Sequence, residues 1–401
     1  MKTTALFAPL VMATSLQAGT SIPALSPAPS TPWIVPTLDA RLRYEFADVE
    51  GFDASHALTL RIRPGLKTRE WAGFSGFIEG ELTGAAIRDY NGGAIGAEPF
   101  DPFNSTIVDP QTAEFNQAYL QYKGFDSIVK FGRQRIIYDN AAFIGNSGWR
   151  QNEQTFDAIS LSYQSHFGLT FNYAWLDQVN RVFGSEADGI ASNAPCDTHL
   201  FNASYTGIEN LTLGGYVYLM DFKDIGTTGW NNDTYGLSAD TKLQEIKLHG
   251  EAAFQQNAGP LNDRDALYFH VNATHSLGSG LLTAGIEHLD EGFQTPLATL
   301  HAMNGFADAT DLLRALGTHG GLTDMYLSHS TPLPWGLKWT NLAHAFGDNE
   351  LGTSIGFGFD SLLVKKFNEH FSSTAMLGYF DSSDARYLDT TRFSLQLDYS
   401  F

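Results

Sequence analysis

The sequence has one cysteine, Cys196, so no intramolecular disulfide can brace its 401 residues. Beyond residue 18 it has no apolar run of the roughly 18 residues that a membrane helix needs. Charged residues make up only 17%. A long helical period is missing too, and the one candidate helix is short, over 306–316 (FADATDLLRAL). Basic charge is scarce: the net charge is -20, which argues against nucleic acid as a partner. No arginine occurs between 182 and 263. Cys196 sits in the polar stretch SNAPCDTH and reads as a loop residue rather than a nucleophile or ligand.

What the chain does have is glycine, aromatics and a period of two. There are 39 Gly, 29 Phe and 16 Tyr. In LDARLRYEF, Leu38, Ala40, Leu42, Tyr44 and Phe46 share one face, opposite Asp39, Arg41, Arg43 and Glu45. LTLRIRP, LTLGGYVYL, ALYFHVNATH and SIGFGFDSLLV repeat the pattern, and so does RFSLQLDYSF at the end of the chain. An exposed edge strand of that kind would invite aggregation, whereas in a closed barrel its apolar face meets lipid. Alternation also keeps the mean hydropathy near neutral in a membrane protein.

About eighteen such strands can be counted. Long polar segments near 84–113, 137–154, 178–196, 221–233 and 290–321 alternate with tight links such as 124–126, 165–166, 207–210, 276–280 and 331–336. The fold class that follows is all-β: a transmembrane antiparallel β-barrel with short periplasmic turns and long extracellular loops. A soluble multi-sheet protein would explain the alternation but not the loop asymmetry. Residues 1–18 (MKTTALFAPLVMATSLQA) read as a secretory signal peptide, 19–37 as a Pro/Ser/Thr-rich leader, and 38–401 as the barrel in the cell outer membrane.

Nine of the fourteen arginines fall between 41 and 150. Arg41, Arg43, Arg61 and Arg63 alternate with lipid-type residues, so they should face the lumen. A first turn near 48–55 sets 41–43 beside about 60–62, making one basic patch. Like charges across a sheet repel, so the patch requires counter-charges, for which Asp39, Glu45, Glu79 and Glu81 are available, or a purpose. It is either a salt-bridged wall or an anion-attracting one. A second basic group is Arg133, Arg135 and Arg150; strict alternation from Val129 and Phe131 turns Arg133 outward.

Catalytic residues, a metal site and cofactors are not expected. The twelve histidines fall in no hydrolase motif. His270 and His275, five apart in one strand, point to opposite faces and cannot share a metal. The glycine cluster NGGAIG (91–96) lacks a strand–helix context and reads as a flexible outer loop.

Two stretches, EFNQAYLQY…VKFGRQRIIYDNAAFIGNSGWRQNEQTFDAISL and FQTPLATLHAMNGFADATD, resemble the alginate-export-type outer-membrane family. That resemblance implies a monomeric eighteen-stranded channel with an arginine-lined constriction. Arg61 or Arg63 and Arg133 or Arg135 would supply the constriction, and an anionic saccharide or small organic acid would be the solute. It also implies contact with outer-membrane lipid and lipopolysaccharide. Phe401 resembles the terminal signal read by the barrel-assembly machinery. The alternatives are an outer-membrane barrel hydrolase, which a lipid or peptide hydrolysis assay tests, and a structural or adhesive barrel plugged by loops 137–154 and 290–321.

Overall fold

The computed structural model describes residues 32–401 apart from 224–228, 259–263, 312–314, 316, 318 and 319. The expected signal peptide and most of the expected leader lie outside the described residues. Eighteen strands, β1 (Ile34–Val49) to β18 (Thr390–Ser400), pair antiparallel with their sequence neighbours, and β1 closes the ring on β18. The barrel therefore starts four residues before the expected boundary at 38. Closure satisfies every strand edge, which lipid demands of a spanning sheet. Among the described residues no helix is long and apolar enough to cross a membrane, and the strands make the crossing.

The hydrophobic alternation resolves into two faces. Leu42, Leu60, Leu82, Leu120, Phe131, Leu237, Leu327 and Leu395 are exposed on the outside and form a lipid-facing belt. Trp33, Trp71, Phe125, Phe167 and Trp335 stand exposed at the end of the barrel where the chain turns tightly. They form an aromatic girdle there. Turns at this rim are short because their residues accept left-handed backbone. Phe125 and Asp126 both have φ near +55°, as a two-residue hairpin between β4 (Thr112–Gly124) and β5 (Ser127–Gln134) requires.

The opposite rim carries the long connections. They span 90–111, 135–154, 181–192, 221–231 and 290–321, numbered here as second, third, fourth, fifth and seventh loops. The expected segments 84–113 and 178–196 were too wide: β3 (Phe74–Asp89) continues to Asp89, β7 (Leu169–Asn180) to Asn180, and β8 (Asn193–Ile208) begins at Asn193. Cys196 is accordingly in β8, not a loop, and fully buried, its thiol directed at the Leu176 carbonyl at 3.4 Å. Polar neighbours misled the assignment because they sit on both faces at this strand's start: Asp197 is exposed outside, while Cys196 and Thr198 are buried on the other face. Within the expected helix over 306–316, residues 306–310 run as turns, Asp311 and Ala315 are helical, and 312–314 and 316 lie outside the described residues. The cluster 91–96 lies in the second loop as expected, where the amide of Asp188 donates to the Ile95 carbonyl at 2.8 Å.

Candidate functional site

Two facts of register build the arginine wall. β1 pairs with β2 (Ser55–Thr68) so that Arg41 faces Arg61, Asp39 faces Arg63 and Arg43 faces Thr59. On its other side Arg41 faces Asp398 and Arg43 faces Gln396 of β18. All of these share the face opposite Leu42, Leu60 and Leu397, so they point into the lumen. The Arg41–Arg61 opposition is offset by Asp398, 2.8 Å from Arg41, and by Asp39, which pairs with Arg61. Arg63 pairs with Glu81 and lies 3.4 Å from Glu153.

The third loop folds inward over this wall. Arg41 Nη1 donates to the carbonyls of Gly148 and Trp149 at 3.0 and 2.8 Å, and Arg43 Nη2 donates to that of Trp149. Arg63 Nη2 donates to the Gln151 carbonyl at 3.2 Å. The Arg43 guanidinium also lies 4.3 Å from the Trp149 ring centroid. Asp109, from the second loop, accepts from Arg43 at 2.9 Å and from the Gln151 amide at 2.8 Å. The wall is thus both a charge pattern and a set of anchors for a loop backbone whose carbonyls have no strand partners.

Arg61 differs from its neighbours. It is 1% exposed, yet its Nε and Nη1 make no hydrogen bond with the protein. Two guanidinium nitrogens, carrying three N–H donors, left without a protein acceptor call for an explanation.

Glu79 and Glu81 lie on the same wall. A bulge in β4 opposite Glu79 turns both Asn116 and Gln117 inward, and their amides donate to Glu79 at 2.8 and 2.9 Å. Arg135 spans Glu79 and Glu153. Arg150 binds Glu45 at 3.1 Å and Asp308 of the seventh loop at 2.7 Å. Arg133 is not among them. It faces Ala118, which shares the outward set with Leu120 and Phe131, and it forms a two-pronged pair with Asp157 at 2.7 and 3.0 Å. Strict alternation therefore holds through β5, and the constriction role suggested for Arg133 does not fit its position.

The third and seventh loops join across the lumen. The Gly145 amide donates to the Leu297 carbonyl at 2.8 Å, and the Thr299 amide to that of Ala141 at 3.0 Å. His301 stacks on Trp149 with ring centroids 4.6 Å apart. On the far side Phe143 and Phe293 pack on Tyr216, Tyr218 and Tyr268 of the wall. The third loop therefore reaches from an arginine wall to a tyrosine wall.

Charge on these loops is strongly perturbed. Burial alone would raise the Glu153 carboxyl, but Arg135 and Arg63, with the Asn116 amide, hold it down at about 2. Asp308 is likewise held well below the usual carboxylate range, because His301, Arg392 and Arg150 outweigh its burial. Burial, then the charge of Glu251, push Asp139 up to about 6. Sequence reasoning missed Asp109, Asp308, His301 and Asp398. Only Asp398 had a signal, its place on the polar face of the last strand; the others lie in loops with no period.

Residues 37–215 match the model of the alginate export family. The first of the two stretches that carried the resemblance falls inside that match and the second outside it. No curated protein matches the chain in sequence. Among solved structures, OpdO of Pseudomonas aeruginosa superposes with a TM-score of 0.70 at 15% identity, covering 92% of this chain and 97% of that one. OccAB3 of Acinetobacter baumannii gives 0.68 at 13%, covering 92% and 99%. The outer membrane protein opdK of Pseudomonas aeruginosa gives 0.66 at 12%, again covering 92% and 99%. At those identities the likeness is one of fold. The expected closed eighteen-stranded barrel of the outer membrane is borne out.

Proposed function

We propose that this alginate-export-type barrel is a porin-type outer-membrane channel that passes hydrophilic solutes passively and favours anionic ones. The observation that carries the anionic preference is Arg61: a buried, lumen-wall guanidinium with two nitrogens unmatched by protein, flanked by Arg41 and Arg63. Such a group acts on a passing carboxylate through its charge, and its neighbours add to it by raising the local anion concentration. Sugar acids and small organic acids are the solute class that these donors fit. Arg41, Arg43, Arg63, Arg135 and Arg150 are assigned a supporting part, because carboxylates or loop carbonyls already engage them. Catalysis is no part of this proposal. Contact with lipopolysaccharide, a monomeric state and assembly through the strand that ends at Phe401 belong to it.

The test is the reversal potential of the refolded protein in a planar bilayer under a salt gradient. Anion selectivity, shifted toward cations by Arg61→Gln, is the expected result. Cation selectivity of the unaltered protein would overturn the preference for anions.

A further inference from the structure

Half-way round the sheet from β2, the lumen wall carries chemistry that an anion path does not use. β11 (Ile246–Ala258) and β12 (Arg264–Leu277) are paired so that Glu251 faces His270 and His249 faces Asn272. His249 and Glu251 are two apart in one strand and so share a face, and the register brings His270 to the same face. One ligand atom from each of the three lies within 4.8 Å of the others.

We infer that His249, Glu251 and His270 form a binding site for a first-row divalent transition cation, with Zn2+ the best fit. Two imidazoles and one carboxylate are a three-ligand donor set that leaves a fourth position open. Hard cations such as Ca2+ prefer all-oxygen cages, so the imidazoles select against them. Drawing the three atoms inward by about an ångström reaches the bond lengths of such an ion.

The outer partners support the assignment. His249 Nδ1 lies 2.9 Å from Asp240 Oδ1, which fixes the ring and leaves Nε2 aimed at the cluster. That Nε2 is buried, makes no hydrogen bond, and sits 3.7 Å from Glu251 Oε2. Tyr216 donates its hydroxyl to Glu251 Oε1 at 2.8 Å, so the other carboxylate oxygen is turned toward His249. The His270 ring is held by the Tyr326 hydroxyl, 2.8 Å from its Nε2. Carboxylate-to-histidine support of this kind orients metal ligands and raises their basicity. The carboxylates of Asp240 and Glu251, with Asp139 of the third loop within their electrostatic range, leave the site rich in negative charge.

The experiment is calorimetric titration of the refolded, full-length barrel with Zn2+ alone, with Co2+ absorption to count ligands. Heat-modifiable gel migration verifies that each variant is folded. One Zn2+ per chain is expected, together with a four-coordinate Co2+ spectrum. Asp240→Asn should weaken binding roughly 10–100-fold, the usual cost of losing an outer partner, and His249→Gln with His270→Gln should weaken it further. His275→Gln, on the opposite face, should leave it unchanged. Absence of stoichiometric binding to the unaltered protein would overturn the inference. So would equal affinity in the folded double variant.

Discussion

At the scale of single residues, Glu153 shows how charge holds the third loop in place. It accepts from Asn116 and Asn146 and pairs with Arg63 and Arg135. Its carboxyl is held at about 2 in the folded barrel, against about 4.3 when unfolded. A depressed carboxylate contributes stability that is fully present above the unfolded value and is lost as pH falls through the folded one. Here that is on the order of 3 kcal/mol. Current through the channel should therefore stay quiet above about pH 4.5 and become noisy toward pH 2 as the loop loosens. Glu153→Gln should bring that noise to neutral pH, measurable in single-channel recordings. Recordings of the variant that match the unaltered protein at pH 7 would mean the loop's other anchors, Arg41 and Arg43 among them, suffice to hold it.

Among the strands, glycine decides geometry at a few places. Gly132 in β5 has φ +120°, and a Cβ there would run into the carbonyl of Ala118. Gly132→Val should cost about 1–3 kcal/mol in backbone strain, read as a lower urea midpoint for barrel unfolding. Gly285 acts differently, because a Cβ there would meet the ring of Tyr326. The tyrosine lies over a position without a side chain, a device that packs an aromatic against a sheet glycine. Gly285→Val should displace Tyr326, and the His270 ring that rests on it, without unfolding the barrel. Its signature is a changed His270 NMR resonance in a protein of normal gel mobility.

The whole molecule is a lipid-facing cylinder whose interior is divided by two loops. The third and seventh loops share two backbone hydrogen bonds, the Arg150–Asp308 pair and the Trp149–His301 stack. Each neutral hydrogen bond contributes about 1 kcal/mol, and removing Asp308 leaves the buried Arg150 charge short of a partner, which costs about 3–5 kcal/mol. Replacing residues 296–309 by a short Gly/Ser linker should therefore release the junction and raise single-channel conductance. The eighteen-strand closure should survive, since none of those residues belongs to a strand. Unchanged conductance in the folded variant would place the narrowest point elsewhere.

How much of this was legible in the chain follows from which interactions are local. Strand number, faces and the short-turn rim were readable, because side-chain direction in a strand follows a period of two that lipid and water enforce residue by residue. The same rule set Arg41, Arg43, Arg61 and Arg63 in the lumen and turned Arg133 out. It could not reveal that Asp109 and the carbonyls of residues 148–151 meet those arginines, or that Asp308 meets Arg150, since loops have no period and partners lie about a hundred residues or more away in several cases. Nor could it unite His249, Glu251 and His270, whose meeting depends on the register between two strands. Local alternation determined the barrel and its inward charges. Only the tertiary structure decided which charges are already engaged, because that depends on where two loops come to rest inside the closed sheet.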